Sequence, residues 1–378
     1  MENLSTTLET LRKELHANPE VSGQEYHTQK YIQTFLKEHT VGKVQAIANT
    51  GVVAVFEGNA TGDTILLRAD IDALPIQENN EFLHKSKKQG VSHKCGHDGH
   101  TAILLGVAMR LSEKPIPKGK VILLFQPAEE TGKGAQAVLN DPFFKELSID
   151  YAFALHNLPG FAKHEIVVKE NEFTANVRSI IIQLTGKTAH AAEPEKGINP
   201  AQAIKDIITF AEQHTYTNSN STDFFLMTPV YISMGEKAYG VSAGYGEIHF
   251  TLRSQSTLLM EAQCIALQNY LQEIEKEYQL KVAVSWLEEF YASINNKEAV
   301  SIVKKAARNH MFSVQLKQIP FKWGEDFGLF TQQYKGAMFG LGAGIAVPAL
   351  HNPDYDFPDD ITMTGVSMFY SIVNEVLK

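Results

Sequence analysis

The segment HKCGHDGHTA at 93–102 concentrates residues that bind metals or act as nucleophiles. Cys95 and His97 stand two residues apart, directly before an expected helix, so both side chains can turn toward one point near the helix N-terminus. A thiolate and an imidazole together suit a borderline-soft divalent metal ion. The segment alone also permits a cysteine that only packs, or a hydrolase with Cys95 as nucleophile and His97 as base.

Two carboxylates and another imidazole stand where expected strands end. The strand at 121–125 leads into Glu129 and Glu130, and the strand at 151–155 leads into His156. Open α/β sheets build their sites at the C-terminal ends of their strands. One carboxylate of such a pair can bind a metal ion while its neighbour acts as general base on water. Alternatively, the pair begins the following helix as N-terminal acids.

Three further segments carry possible members of the same site. The strand at 64–72 ends with Asp70 and Asp72, and His351 lies in the proline-rich stretch 347–360. A histidine in such a loop indicates function only in combination with other segments. The role of His16, in HANPE, is open, and the other histidines form no recognisable group.

Alternating helices and strands must position these residues. Hydrophobic periodicity predicts helices at 3–17, 25–39 and 100–113, and strands at 51–58, 64–72, 119–130 and 150–157. This order is typical of an α/β domain, doubly wound around a mainly parallel sheet.

The middle of the chain has a different pattern. Strands near 177–186, 224–233, 246–254 and 280–291 and helices at 200–214 and 258–278 follow the order βαββαβ of a small α+β sandwich. The α/β pattern resumes at 297–310, so this domain is an insertion. We expect a catalytic domain of 1–172 and 288–378 with an inserted domain at 173–287.

Composition narrows the class of partner. The 378 residues carry a formal net charge of -9, with no basic face for nucleic acid or an acidic membrane, so a small molecule is the expected partner. Two cysteines cannot form a disulfide framework, and the first twenty residues lack the pattern of a signal peptide. The apolar stretch 336–350 is too short and too interrupted to span a bilayer. We expect a cytoplasmic protein.

Six blocks distributed along the whole chain resemble the M20 metallopeptidase family, in the amidohydrolase branch that includes hippurate hydrolase, N-acyl-amino-acid amidohydrolases and indole-acetyl-amino-acid hydrolases. They are LHANPE (15–20), LRADIDALP (67–75), CGHDGH (95–100), FQPAEE (125–130), GEDFG (324–328) and LHNPDYDF (350–357). The resemblance implies two divalent metal ions per subunit, with Zn, Mn, Ni and Co as candidates. It implies the following ligands: Cys95, His97, Glu130, His156 and His351. Glu129 is the implied general base, and Asp72 the acid that supports a metal ligand.

The resemblance also assigns roles to the inserted domain. It corresponds to the family's lid, through which two subunits form a homodimer. His190 matches the histidine that reaches into the partner's site to stabilise the oxyanion, and Arg253 matches a substrate-binding arginine. Gly240 stands where the family often has an asparagine, so Ser242 or a different mode of substrate binding is expected here.

These features together predict a metal-dependent amidohydrolase that cleaves N-acyl or N-acetyl amino acids. In this reading Glu129 accepts a proton from water and passes it to the leaving amine, while His190 and a metal ion hold the oxyanion. The alternatives are a hydrolase of small dipeptides, a binding protein without metal, and the thiol-dependent hydrolase described above.

Overall fold

The computed structural model describes residues 2–218, 221 and 223–378. The chain divides into two compact units: the larger comprises Met1–Phe173, Ser293–Gln318 and Glu325–Lys378, and the smaller comprises Thr174–Ala292 and Ile319–Gly324. The inserted domain predicted from the sequence spans 173–287. The smaller unit instead ends at Ala292 and also includes a short later segment.

Helices and strands of the described residues alternate along most of the chain. The helices are α1 (Glu2–Ala17), α2 (Tyr26–His39), α3 (His97–Glu113), α4 (Gly134–Asn140), α5 (Pro142–Lys145), α6 (Ala201–Gln213), α7 (Thr257–Glu277), α8 (Lys297–Asn309), α9 (Gly328–Thr331) and α10 (Thr362–Val376). The strands are β1 (Lys43–Ile47), β2 (Gly51–Glu57), β3 (Ala60–Asp70), β4 (Lys118–Gln126), β5 (Tyr151–Pro159), β6 (Ile166–Val168), β7 (Asn171–Glu172), β8 (Asn176–Thr185), β9 (Ala189–His190), β10 (Phe225–Met234), β11 (Val241–Ser242), β12 (Tyr245–Ser254), β13 (Lys281–Phe290), β14 (Ile294–Asn295), β15 (Val314–Leu316) and β16 (Lys335–Gly344).

The larger unit is built around an eight-stranded sheet with the order β1-β2-β4-β3-β5-β16-β6-β15. Its centre is parallel: β3 pairs in this sense with β4 and β5, and β5 with β16. The edge pairs β1–β2 and β2–β4 are antiparallel. The predicted α/β class with a mainly parallel sheet is confirmed. The glycine-rich strand β16 was not predicted, because its apolar run lacks the alternation that marks a half-buried strand.

Both faces of this sheet are buried. Successive side chains on a strand point to opposite faces, and the neighbours Leu66 and Leu67 are both fully buried, as are Leu123 and Leu124. Helices α1, α3 and α10 pack on one another and contribute to the main hydrophobic core. With both faces covered, the ends of the parallel strands are where polar side chains can gather.

The smaller unit contains a four-stranded antiparallel sheet with the order β10-β12-β8-β13. Alternate residues of β8, such as Ile180 and Ile182, are buried in a core to which α6 and α7 also contribute. The intervening Ile181 and Gln183 are only half-buried. The βαββαβ order follows the prediction. Among the described residues of both units, every helix is too short or too polar to cross a membrane.

Candidate metal centre

Three neighbouring parallel strands of the larger unit bring the predicted site residues to one edge of the sheet. Asp70 at the end of β3 pairs in register with Gln126 at the end of β4. His156 lies near the end of β5, on the other side of β3. Parallel strands end at the same edge, so Asp72, which follows β3, is delivered to this edge as well.

The Cys95–His97 segment depends on a glycine. Gly96 has φ 96°, in the left-handed region that favours glycine, and α3 begins at His97. A Cβ atom on Gly96 would lie 2.6 Å from Oδ1 of Asn157. The tight turn therefore lets Cys95 and His97 face the same place at the start of a helix.

Glu129 and Glu130 lie in a turn between β4 and α4. The turn includes Ala128, which has φ 52° and whose N–H donates to Oε1 of Glu25 at 2.8 Å. Because α4 begins at Gly134, the alternative that the two glutamates start a helix is wrong. Left-handed backbone at a non-glycine residue costs about 1–3 kcal/mol and persists where the surroundings impose it, often at active sites.

Two groups of metal-binding side chains share Cys95. One group is Cys95, His97 and His156, and the other is Cys95, Glu130 and His351; the ligand atoms within each lie within 4.8 Å of one another. The Cys95 sulfur is 3.5 Å from Nε2 of His156, and Nε2 of His351 is 3.6 Å from Oε1 of Glu130. The five side chains that the resemblance implies as ligands thus lie close together, and Cys95 belongs to both groups.

Two buried atoms at this centre have no hydrogen-bond partner. They are Nε2 of His97 and Oε1 of Glu130, which are 3.8 Å apart. The other ring nitrogen of His97 lies 3.1 Å from the Asp72 carboxylate and donates to it, which leaves Nε2 as the atom available to a metal. Unpaired buried polar atoms are unfavourable, so these atoms fit a divalent cation.

The pKa values of the acidic groups reflect their crowding. Burial raises the pKa of Glu129 well above its usual value, and the Glu325 carboxylate raises it further. Burial likewise raises the pKa of Glu130 to about 7 and the pKa of the Cys95 thiol well above its usual value. A divalent cation favours the charged forms of these ligands and opposes both shifts.

A buried ion-pair network supports the carboxylates. Arg68 is almost entirely buried, and its guanidinium donates to Asp70 at 2.6 Å, Glu325 at 2.8 Å and Asp326 at 2.9 Å. Asp326 also accepts from the N–H of Ala135 at 2.8 Å. Burial raises the pKa of the Asp326 carboxyl to about 8, and the Arg68 guanidinium opposes this rise. Glu325 and Asp326 belong to the GEDFG block, for which the sequence alone predicts no role.

The sequence alone predicts no role for two histidines in this region, His100 and His16. His100 joins two strand ends: its Nδ1 is 2.6 Å from Asp70 and its Nε2 is 2.5 Å from Oδ1 of Asn157. The available signal was its position three residues after His97, on the same helix face. His16 is fully buried between Asp98 at 2.8 Å and Glu78 at 3.0 Å.

Two predicted site residues belong to the smaller unit. His190 is exposed, and β9 pairs it with Val241 of β11. Its Nδ1 accepts the N–H of Ala192 at 3.1 Å, so in the neutral ring Nε2 carries the hydrogen and can donate. Gly240 accepts a backbone hydrogen bond from Ala191. Arg253 lies on β12 and donates to the carbonyl of Lys322 at 2.9 Å.

Comparison with known proteins decides the family. Residues 66–375 match the profile described as Peptidase family M20/M25/M40. The chain belongs to this family. The M20 resemblance inferred from the six sequence blocks is therefore confirmed.

Named relatives and solved structures of M20 proteins cover nearly the whole chain. N-acetyl-L-cysteine deacetylase of Bacillus subtilis is 34% identical over 344 residues, which are 90% of this chain and 82% of that protein. Hippurate hydrolase of Campylobacter jejuni is 29% identical over 379 residues, covering 100% and 98%. The crystal structure of a dinuclear metal-binding M20 peptidase from Bacillus subtilis matches with a TM-score of 0.84 and 27% identity, covering 100% and 99%.

Proposed function

We propose that this chain, a metal-dependent amidohydrolase of the M20 family, hydrolyses the amide bond of N-acyl amino acids and holds two divalent metal ions per subunit. The observation that carries the proposal is the pair of ligand groups that share Cys95. The printed names of two relatives, a deacetylase of N-acetyl-L-cysteine and a hippurate hydrolase, support an N-acyl amino acid as substrate. The dinuclear centre of the related peptidase supports two ions.

In this proposal five side chains hold the metal ions: Cys95, His97, Glu130, His156 and His351. Divalent ions supply Lewis acidity, which lowers the pKa of water and polarises a carbonyl group. A thiolate with imidazoles favours Zn²⁺, and Mn²⁺, Ni²⁺ and Co²⁺ are the other candidates.

Glu129 is the proposed general base. Its carboxylate accepts a proton from the attacking water and later gives that proton to the leaving amine nitrogen. A pKa raised by burial suits a group that must both take and return a proton. Asp72 positions the neighbouring ligands, because one of its oxygens contacts Nδ1 of His97 and the other accepts the N–H of Glu130 at 3.0 Å.

The smaller unit is the proposed lid and dimer contact. Strand β10 lies at an edge of its sheet and exposes Val230 (59%), Ile232 (46%) and Met234 (43%). An exposed apolar edge strand is a surface that pairing with a second copy would cover. In such a homodimer His190 donates its Nε2–H to the oxyanion in the partner's site, and Arg253 binds the substrate carboxylate. Both cysteines are free thiols, which supports a cytoplasmic location.

The test measures turnover by the holoenzyme of a panel of N-acetyl and N-benzoyl amino acids. Dipeptides are assayed beside them as the alternative substrate class. We expect hydrolysis of N-acyl amino acids that a chelator abolishes and that Zn²⁺, Mn²⁺, Ni²⁺ or Co²⁺ restores. Faster cleavage of dipeptides than of N-acyl amino acids would indicate that dipeptides are the substrates. Activity that survives complete removal of metal would favour the thiol mechanism, and binding without turnover would indicate a binding protein.

A further inference from the structure

Lys94, directly before Cys95, has a fully buried side chain. Lysine is almost never fully buried unless it is paired. Its ammonium donates to the carbonyl of Tyr355 at 2.7 Å and to the Glu78 carboxylate. Lys94 therefore connects the Cys95 segment to the C-terminal loop that carries His351.

The backbone of Lys94 makes a second connection to the same loop. Its carbonyl accepts the N–H of His351 at 2.7 Å. The loop is thus held at two points, His351 and Tyr355, by the main chain and the side chain of one residue. His351 has φ 67°, a conformation that a non-glycine residue keeps only when its surroundings impose it.

Other side-chain contacts also retain the loop. The Tyr355 hydroxyl interacts with Nδ2 of Asn157 at 2.5 Å, and Arg12 donates to Asp356 at 2.6 Å. These contacts reach β5 and α1. Among the described side chains that contact this loop, Lys94 is the one that directly precedes Cys95 in the chain.

We propose that Lys94 is a positioning residue that aligns His351 with Cys95 and Glu130, and thereby sets the affinity for the metal ion that these three ligands hold. The inference rests on the proposed function, because it requires the two-ion centre. Cys95, His97 and His156 form the other ligand group, and the described hydrogen bonds of the Lys94 ammonium go to Glu78 and Tyr355 and to neither of these histidines. Loss of the ammonium should therefore weaken one ion and spare the other.

The experiment is the substitution Lys94→Met, which keeps the length of the apolar stem and removes the ammonium. Glu78 still accepts from His16 at 3.0 Å and from the N–H of Ser86 at 2.6 Å, so its carboxylate stays paired. If this variant does not fold, Lys94→Gln replaces it, because its neutral amide needs no counterion. The expected direction is the same.

Zn²⁺ binding to the metal-free full-length chain is measured by competition with a chromophoric chelator, with elemental analysis of the stoichiometry. We expect one of the two ions to bind about 10–100-fold more weakly in Lys94→Met and the other to change little. His351→Ala should weaken the same ion more strongly. Val107→Ala, a truncation in the buried core of α3, is the control for general destabilisation and should leave both affinities unchanged.

Two results would overturn the inference: wild-type affinity for both ions in Lys94→Met, or equal weakening of both ions in that variant. A wild-type chain that binds no Zn²⁺, and none of the other candidate metals, would instead overturn the proposed function. The two failures are therefore distinguishable.

Discussion

The metal-binding edge of the larger unit and the His190 segment of the smaller unit differ in how firmly their side chains are held. His97 is buried and hydrogen-bonded to Asp72, so its free nitrogen has one direction in which to bind. His190 is exposed, and its ring accepts only the backbone N–H of Ala192 among the described side-chain hydrogen bonds; a Cβ atom on Gly240 would meet no atom within 4 Å. The chemistry is thus preorganised in one unit, and the proposed recognition surface lies on the other.

This difference has an energetic consequence. A substitution in the buried network leaves a charge or hydrogen-bonding group without a partner, which destabilises a protein by several kcal/mol. Surface substitutions are usually within about 0.5 kcal/mol of neutral. Substitutions on the proposed recognition surface near Gly240 should therefore leave the fold and the buried network of the larger unit intact.

The largest expected effect is at the base. Glu129→Gln should lower kcat by at least ~100-fold while the metal content stays normal, because glutamine keeps the size of the side chain but cannot accept the proton. Turnover and elemental analysis of the same sample measure both. Glu57→Gln, at a surface carboxylate, is the matched control. Near-normal activity in a metal-replete Glu129→Gln sample would show that Glu129 is not the general base.

The buried charges of the larger unit should make its stability depend on pH. Burial alone would lower the pKa of His16, but hydrogen bonds to Asp98 and Glu78 raise it to about 9 from an ordinary value of 6.5. Because the folded-state pKa is the higher one, the stabilisation is complete below pH 6.5 and is lost as pH rises through 9. The loss should be about 3 kcal/mol in the free energy of unfolding.

Denaturant unfolding of the metal-free chain between pH 6 and 10 (roughly the window set by these two pKa values) measures this slope. His16→Gln should flatten it, whereas His39→Gln, at an exposed histidine, should not. An unchanged slope in His16→Gln would mean that this buried network does not carry the pH dependence.

The lid proposal is tested by mixing two inactive variants. If each site combines Glu129 of one chain with His190 of the other, Glu129→Ala and His190→Ala homodimers are both nearly inactive. Random reassortment makes half of the dimers mixed, and one site of each mixed dimer is intact, so about a quarter of all sites should recover. The variants are dissociated and reassembled together with metal and compared with separately treated samples. No recovery, with mixed dimers present, would place His190 within its own subunit's site or outside the mechanism.

The smallest expected effect is at Gly240. Its φ is outside the left-handed region and a Cβ there meets no atom within 4 Å, so Gly240→Asn should fold normally. If the missing amide limits substrate binding, kcat/KM for N-acetyl amino acids should rise about tenfold, the value of one hydrogen bond to a charged group. Gly240→Ala is the control that adds bulk without an amide. Equal losses in both variants would mean that glycine leaves room for a larger substrate group.

Short-range patterns were enough for much of the candidate site. The CGHDGH and FQPAEE blocks locate four of the proposed site residues, because a strand end or a helix start is encoded by its immediate neighbours. The roles of His100, Arg68 and Lys94 were not predictable in this way. Each depends on partners that are distant in sequence, such as Glu325, which lies 2.8 Å from Arg68.

The sequence alone determined the order of the main helices and strands apart from β16, and the βαββαβ insertion, since periodicity is a local property of the chain; the ligand types followed from the family resemblance. Only the tertiary structure decided that Cys95 belongs to both ligand groups and that Lys94 joins its segment to the His351 loop. The physical reason is that packing on both faces of the sheet brings together strand ends and loops that are distant in sequence. A local sequence pattern carries no information about which of these distant side chains come into contact.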